Sequence, residues 1–237
     1  MALDPRSYYD HYWSARERRH TESRSRERAR LAVQLLRKGG LARGSLLDAG
    51  CGPGWPLEEF ARSGFQAVGV DASAVAIHEA RSRGLDARLL DLEGDPPERL
   101  LSLQPERFDA VVALEVLEHL ADPLSVLQKL LSLVKPGGCL VVSLPNEVHC
   151  LARLQMLLGS LPFGGHDDPH LRHFDRKLAR RLFRAAGCRV IQEHPVSLIP
   201  MRWGALRAVC KPAQLFFPGF WAIATLYLLR GGVDDGK

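Results

Sequence analysis

Residues 46–54 have the sequence LLDAGCGPG, in which a short apolar run meets a cluster of glycines. The apolar run at 45–49 predicts a buried strand, and the glycines predict a tight loop directly after it. Glycine tolerates positive φ and lets a ligand approach the backbone closely. Because ligands of open α/β sheets bind at the carboxyl ends of the strands, this stretch predicts a ligand-binding loop.

Apolar runs and helical patterns alternate on both sides of this loop. We predict strands at 45–49, 66–70, 87–90, 108–114, 139–144, 188–193 and 220–229. We predict helices at 24–38, 56–63, 73–83, 123–135, 148–158, 175–186 and 203–217, the fourth of them stopped by Pro136-Gly137-Gly138. This alternation predicts the α/β class, with a doubly wound, mostly parallel sheet of seven strands and helices on both faces.

The composition is that of an ordinary globular protein, with 46% hydrophobic and 25% charged residues in a chain of 237. This length suits one α/β domain with some elaboration. We expect a basic helical arm or lid at 1–43 and the main domain at 44–237, with a substrate-side insertion at about 146–174.

The cysteine pattern and the apolar runs indicate a cytoplasmic protein without a membrane span. The five cysteines include no CxxC pair, which favours free thiols in a reducing compartment. Residues 1–10 lack the apolar core of a secretory signal. The apolar run at 220–229 is too short to cross a bilayer as a helix. It predicts a buried strand, with peripheral membrane contact as the alternative.

The positive charge is concentrated before the glycine loop. Residues 1–45 carry 11 Lys/Arg and 5 Asp/Glu, whereas the rest of the chain carries 21 and 22. Such an arm suits nucleic acid, anionic lipid or an acidic substrate. Because Glu17, Glu22 and Glu27 interleave with the arginines, we favour a solvated helix.

Carboxylates end three consecutive predicted strands, at Asp48, Asp71 and Asp91. A dinucleotide fingerprint needs glycine at position 55, where this chain has Trp55. Asp48 suits an ammonium group better than a pyrophosphate. Asp71 is placed to accept ribose hydroxyls, and Asp91 to accept the adenine amino group. Three carboxylates at the ends of consecutive strands are difficult to explain as turn or cap residues alone, so together they indicate a ligand site.

The sequence resembles the class I S-adenosylmethionine (SAM)-dependent methyltransferases. The resemblance rests on DAGCGPG at 48–54, VGVD at 68–71, FDAVV at 108–112, EVLEH at 115–119 and LVKPGG at 133–138. EVLEH is similar to the ubiquinone-pathway O-methyltransferase branch. A looser likeness over 145–190 is to a methionine-pathway-like bacterial branch. The family implies a Rossmann-like sheet with an antiparallel last strand, and SAM as cofactor with S-adenosylhomocysteine as product.

The resemblance also implies which residues bind the cofactor. The loop backbone would follow its methionine part, Asp48 its amino group and Asp71 its ribose. Ala72 would lie under the adenine, whose edge faces the third strand, and the end of the fourth strand would border the sulfonium. The implied cofactor-binding residues are Asp48, Gly50, Cys51, Gly52, Asp71, Ala72, Asp91, Leu92, Leu114 and Glu115. The bulky Trp55-Pro56 pair departs from the family pattern and puts the shape of the cofactor entrance in doubt.

Methyl transfer from SAM needs alignment of the reactants and a group that accepts a proton. The candidates are His119, His149, His166, His170 and His173, and we favour His119, His170 and His173. A metal site formed by His166, Asp167, Asp168, His170 and His173 has fitting residue types but no rigid spacing. We therefore predict no metal.

The acceptor is predicted to be a small molecule that reacts through oxygen, nitrogen or carbon. An apolar pocket for a lipid-like or aromatic acceptor is suggested by Phe163, Phe174, Trp203, Phe216 and Phe217, which core packing would explain equally. The aromatic segment at 8–13 is either a lid over the cofactor or packing on the sheet edge. RNA methylation and a non-catalytic partner protein are the alternative functions.

Overall fold

A computed structural model describes residues 5–14, 18–103, 106–162, 170–197 and 217–232. The helices are α1 (Pro5–Ser14), α2 (Arg18–Lys38), α3 (Trp55–Arg62), α4 (Ala74–Ser82), α5 (Pro97–Leu101), α6 (Pro123–Ser132), α7 (Cys150–Leu157), α8 (Arg176–Ala185) and α9 (Pro218–Trp221). The strands are β1 (Gly44–Ala49), β2 (Phe65–Asp71), β3 (Ala87–Leu89), β4 (Phe108–Leu114), β5 (Val134–Pro145), β6 (Cys188–Ser197) and β7 (Ala222–Gly231). A 3-10 turn spans Leu117–His119.

The strands form one seven-stranded sheet in the order β3-β2-β1-β4-β5-β7-β6. The pairs from β3 through β5 are parallel, whereas β7 runs antiparallel to both β5 and β6. The predicted Rossmann-like sheet with an antiparallel last strand is therefore confirmed. The strand order changes direction at β1, because β2 and β3 lie on one side of it and β4 and β5 on the other. Ligands of such sheets bind at this switch point, between β1 and β4.

Alternate residues of each central strand face two different helical layers. In β1, Leu47 belongs to the core cluster that contains α6 and α8, whereas Leu46 packs with α2 and Phe60 of α3. Both side chains are fully buried. This alternation places helices on both faces and holds the strand ends rigidly.

The α2 helix is part of the protein core as well as of the predicted arm. Its apolar residues Ala29, Ala32, Val33, Leu35 and Leu36 are buried against the sheet. On its polar side Arg26 lies 2.8 Å from Glu58, and Arg30 lies 2.9 Å from Glu59. Arg26 also pairs with the interleaved Glu22 at 2.9 Å. The helix therefore packs on the domain through two of its sides, whereas the sequence had favoured a solvated helix.

The segment Pro136-Gly137-Gly138 lies inside β5, although we predicted it as a helix stop. Helix α6 already ends at Ser132. The register then jumps, since Phe108 pairs with Val134 and Ala110 with Cys139. The β5 strand therefore bulges at the glycines, and the turn residues that suggested a boundary accommodate an irregular strand.

Further differences concern the start of β7 and the short helices. Phe220 belongs to α9, because Pro218 starts a helical turn that delays β7 to Ala222. The short helix α5 was not predicted, since its five residues are too few for a helical period, and α1 was predicted only as part of the helical arm at 1–43. The predicted helix at 203–217 lies, apart from its last residue, outside the described residues. In the described part of the chain, no helix is both long and apolar enough to span a membrane.

Candidate active site

The glycine loop joins the carboxyl end of β1 to α3 and is fastened to the neighbouring strand. The backbone N–H groups of Gly50 and Cys51 both donate to the Val70 carbonyl, at 2.8 and 2.9 Å. Gly50 has φ +78°, and a Cβ there would lie 2.5 Å from Val116 Cγ2. Glycine is therefore required at this position for two reasons, backbone conformation and space.

Asp48 is buried directly before this loop without a partner. Its side chain belongs to a residue that is 1% exposed, and neither carboxylate oxygen has a hydrogen-bond partner among the described residues. Burial, and then the nearby charge of Asp71, raise the pKa of Asp48 to about 8. Buried polar groups are normally satisfied, so this carboxylate fits a ligand that brings a hydrogen-bond donor or a positive charge.

Asp71 ends β2 and organises the backbone on both sides of the site. It accepts the N–H of Gly52 at 2.8 Å and the N–H of Ser73 at 2.9 Å. Burial raises its pKa, against the opposing effect of these backbone donors. A carboxylate has about four acceptor positions, so two donors leave room for further hydroxyl groups.

Asp91 follows β3, where the sequence places it, but it also stabilises its own turn. Its Oδ1 accepts the N–H of Glu93 at 2.9 Å, an arrangement typical of a turn-forming aspartate. The neighbouring Leu92 is buried at 6% exposure. The roles of both residues toward adenine, and that of Ala72, stay predictions.

Helix α1 lies over the glycine loop. Asp10 accepts the Ser73 hydroxyl at 2.5 Å and the Val75 N–H at 3.2 Å, which ties α1 to the start of α4. The Trp13 ring lies 2.8 Å from the point where a Cβ on Gly52 would be, and it meets the Trp55 ring edge-to-face at 5.8 Å. The Trp55 side chain, which departs from the family pattern, therefore packs under α1.

The end of β4 contains a strained residue and a partly buried ion pair. Glu115 has φ +55°, which is uncommon for a residue other than glycine. Its carboxylate accepts the Ser143 hydroxyl at 2.7 Å and lies 2.8 Å from the Arg28 guanidinium of α2. Leu114 directly before it is nearly buried. A backbone strained in this way and held by several partners is common at functional sites.

Glu118 is a second buried carboxylate without a hydrogen-bond partner among the described residues. It is fully buried, and burial together with the nearby charge of Glu115 raises its pKa well above the ordinary value. One ligand atom each from Glu118, His119 and His170 lie within 4.8 Å of one another, close enough for one cation to bridge them. The metal site considered from the sequence combined His170 and His173 with three residues at 166–168, and these three lie outside the described residues.

The three favoured histidines meet at this edge of the sheet. The rings of His119 and His170 are 4.9 Å apart, and Tyr9 of α1 meets His119 edge-to-face at 6.0 Å. His170 and His173 both contact the carboxylate of Glu147, which follows β5. The structure therefore brings together residues that the sequence placed in separate segments.

Other candidates have different surroundings. His149 caps α7 by accepting the Ala152 N–H at 3.4 Å, and burial lowers its pKa, so the structure gives it a capping role. Phe174 is buried in the core, and Phe217 is exposed. The positions of Phe163, His166, Asp167, Asp168, Trp203 and Phe216 lie outside the described residues.

Sequence reasoning assigned no role to four residues of this site, namely Asp10, Arg28, Glu118 and Glu147. Glu118 lies within the quoted EVLEH motif, so the motif itself was an available signal. Glu147 directly follows Pro145-Asn146, at the carboxyl end of β5. Arg28 gave no signal, because nothing in the arginine-rich pattern distinguishes it from its neighbours.

The fold resembles solved methyltransferase structures. Magnesium protoporphyrin IX methyltransferase from Synechocystis PCC 6803, solved with bound SAM, superposes with a TM-score of 0.62 at 17% identity, covering 97% of this chain and 99% of that one. At this identity the likeness shows the fold alone.

Sequence relatives add a second comparison. The chain is 37% identical over 135 residues to the ubiquinone biosynthesis O-methyltransferase of Alkalilimnicola ehrlichii, covering 54% of this chain and 55% of that protein. It is 34% identical over 144 residues to the protein of the same name from Yersinia pestis, with 58% and 60% covered. The chain thus matches little more than half the length of these relatives.

A family model decides the classification. The model described as a methyltransferase domain matches residues 12–193, which includes the glycine loop, the carboxylates at the strand ends and the histidine cluster. The sequence had predicted this family from the motifs between β1 and β5. The prediction is confirmed, and the chain belongs to the methyltransferase-domain family of class I SAM-dependent enzymes.

Proposed function

We propose that this chain methylates an oxygen of an apolar small molecule, with SAM as the methyl donor. The observation that carries this proposal is the buried carboxylate of Asp48, which lies under a glycine loop without a partner among the described residues. The preference for oxygen comes from the two curated relatives, whose names state O-methylation.

The residues at the carboxyl edge fit SAM. Asp48 would hold the ammonium group, and the close backbone approach at Gly50 and Gly52 would accommodate the methionine part. Asp71 would accept ribose hydroxyls with its remaining acceptor positions. When bound, SAM supplies a methyl group that is already activated by the positive sulfur.

The histidine cluster would manage the proton. A hydroxyl group attacks more readily as its proton leaves, and a histidine within reach can accept that proton. His119, His170 and His173 lie beside the end of β4, near the expected position of the sulfonium. The proposed reaction needs no metal, because the donor needs no Lewis acid to react.

Helix α1 would act as the lid of the site. The contacts of Asp10 with Ser73 and of Trp13 with Gly52 support this role. A cover at this position would exclude water from the reacting groups.

An apolar acceptor suits the exposed surface around α7. Leu151, Leu154, Leu157, Leu158 and Leu161 are all exposed there, with Leu157 83% accessible. Residues 150–161 contain one arginine and no acidic residue. This composition suits contact with an anionic bilayer, from which a lipid-like acceptor could be taken up. We therefore include peripheral membrane contact in a cytoplasmic setting, consistent with free thiols at Cys51, Cys139, Cys150 and Cys188.

Nucleic acid is not part of the proposal. Three arginines of α2 that could have formed a phosphate-binding surface are paired with acidic side chains of the domain, Arg26 with Glu58, Arg28 with Glu115 and Arg30 with Glu59. Paired arginines offer little charge to a phosphate backbone.

The reaction can be tested with SAM carrying a labelled methyl group. Catechol, aniline and indole probes would be incubated with the protein, and the label would be traced to oxygen, nitrogen or carbon by mass spectrometry. We expect O-methylated catechol from the wild type and, at equal and limiting SAM, about tenfold less or lower still from Asp48→Asn. Label on nitrogen or carbon alone would contradict the proposed nucleophile.

The membrane contact has its own test. The wild type should sediment with vesicles of phosphatidylcholine and phosphatidylglycerol, whereas a Leu154→Glu/Leu157→Glu variant should not. The Leu89→Glu variant, which alters an exposed leucine on β3, is the matched control. Equal sedimentation of all three proteins would contradict the contact.

A further inference from the structure

Glu147 is bound to two of the three clustered histidines. It follows β5 and its side chain is 10% exposed, so it is held within the protein surface. One carboxylate oxygen lies 3.1 Å from Nδ1 of His170, and the other contacts Nδ1 of His173. The Glu147 carboxylate thus contacts the Nδ1 atom of each of the two histidines.

The backbone around these histidines is fixed independently of the Glu147 side chain, although the Glu147 N–H donates to the Phe174 carbonyl at 3.4 Å. The N–H groups of Leu171 and Arg172 both donate to the Glu118 carbonyl at 2.9 Å. Phe174 anchors the other end of the segment, since its side chain is buried in the core. The segment 170–174 therefore stays in place by other contacts, which leaves ring orientation as the specific contribution of Glu147.

His170 is the better placed of the two histidines. Its ring lies 4.9 Å from His119, and its side chain is 27% exposed against 40% for His173. A carboxylate at Nδ1 holds the proton on that nitrogen and leaves Nε2 with a lone pair. The same arrangement orients the catalytic imidazole in carboxylate–histidine dyads.

We propose that Glu147 is a positioning residue that fixes the Nδ1–H form and the orientation of His170. Nε2 of His170 then accepts the proton of the acceptor hydroxyl. The acceptor oxygen loses that proton as it gains the methyl group, and the electrons of the broken carbon–sulfur bond remain on sulfur. This inference rests on the proposed O-methylation, but its first test does not.

The first test reads the histidine ring directly. In protein labelled with 15N-histidine, the ring nitrogen signals of His170 would be assigned by their loss in His170→Ala. We expect the Nδ1–H form in the wild type and its loss in Glu147→Leu, which removes both acceptor oxygens. Glu147→Gln, which keeps one acceptor oxygen, is the milder variant should the leucine variant fold poorly, and His78→Ala on exposed α4 is the matched control.

The second test asks whether Glu147 acts through His170. With the catechol probe, Glu147→Leu should lower kcat about tenfold or more and leave KM for SAM within about twofold. In the His170→Ala background the same substitution should lower kcat less than about twofold, because its route of action is already removed.

Three results would overturn the inference. They are an unchanged His170 ring form in Glu147→Leu, an equal loss of kcat in both backgrounds, and recovery of Glu147→Leu by added Mn²⁺, which would assign the carboxylate to a bound cation. If the wild type left catechol unmethylated, the proposed function would be wrong for this probe, and the ring signals would still decide the role of Glu147.

Discussion

At the scale of single residues, Asp48 is placed for ligand binding at the expense of stability. Its folded-state pKa of about 8 lies above the ordinary aspartate value near 4, so the native state takes up a proton more readily than the unfolded chain. The stability that this provides is fully present below about pH 4 and is lost as pH rises to about 8. Asp48 therefore weakens the ligand-free fold at neutral and alkaline pH.

The first prediction follows from the direction of this pKa shift. Asp48→Asn should raise Tm by several degrees at pH 8.5 and flatten its decline between pH 4 and 8. The same variant should bind SAM at least about tenfold more weakly, since a charge-assisted hydrogen bond is lost. Thermal unfolding and titration together check both effects. A variant that was less stable and bound SAM normally would show that Asp48 is a structural residue.

Asp71 allows a second prediction at the same scale. Removing its carboxylate in Asp71→Ala takes away the acceptor for two backbone N–H groups and for the ribose. Each lost partner of a buried group costs roughly 1–3 kcal/mol. SAM affinity should fall by about tenfold or more while the far-UV circular dichroism stays native. Unchanged affinity would mean that the ribose lies elsewhere.

At the scale of elements, α2 is attached to the domain by ion pairs that differ in burial. Arg28 of α2 is 16% exposed and pairs with Glu115, whereas Arg30 is 59% exposed and pairs with Glu59. Removing one member of a fully buried pair costs about 3 kcal/mol or more, and an exposed pair contributes less than about 1 kcal/mol, so the partly buried Arg28 pair should lie between these values. Arg28→Ala should therefore lower the free energy of unfolding far more than Arg30→Ala. Equal effects in urea denaturation would contradict this difference in burial.

Helix α1 gives a prediction about exchange of the cofactor. Trp13 contacts the loop at Gly52, Asp10 binds the start of α4, and Tyr9 meets His119 edge-to-face. Trp13→Ala should raise the dissociation rate of SAM by about tenfold in stopped-flow measurements, because the cover of Gly52 is removed. Leu101→Ala, at an exposed residue of α5, is the control. Equal dissociation rates in all three proteins would leave α1 as packing on the sheet edge.

At the scale of the whole molecule, much of the fold was predictable because local patterns decide it. The glycines at 50–54 and the apolar run before them specify β1 and its loop, and the strands from β1 to β4 match their predicted positions within two residues. The bulged start of β5 was not predictable, since proline and glycine signal turns equally well in loops and in irregular strands. The pairing of β5 with β4 decides that these residues form an irregular strand and not a loop.

The candidate site was predictable only where it follows from a strand end. Asp48, Asp71 and Glu115 end strands, and parallel strands bring their carboxyl ends together. The contacts of Arg28 with Glu115, and of Glu147 with His170, join segments far apart in the chain. No local pattern encodes such pairs, because they depend on how α2 and the segment after β5 pack on the sheet.

The most direct test of SAM dependence is calorimetric titration of the purified protein with SAM, S-adenosylhomocysteine and NAD. The buried Asp48 and the shape of the glycine loop predict micromolar binding of the two sulfur cofactors and no binding of NAD. Binding of NAD, or of none of the three at millimolar concentration, would contradict the assignment of this site to SAM.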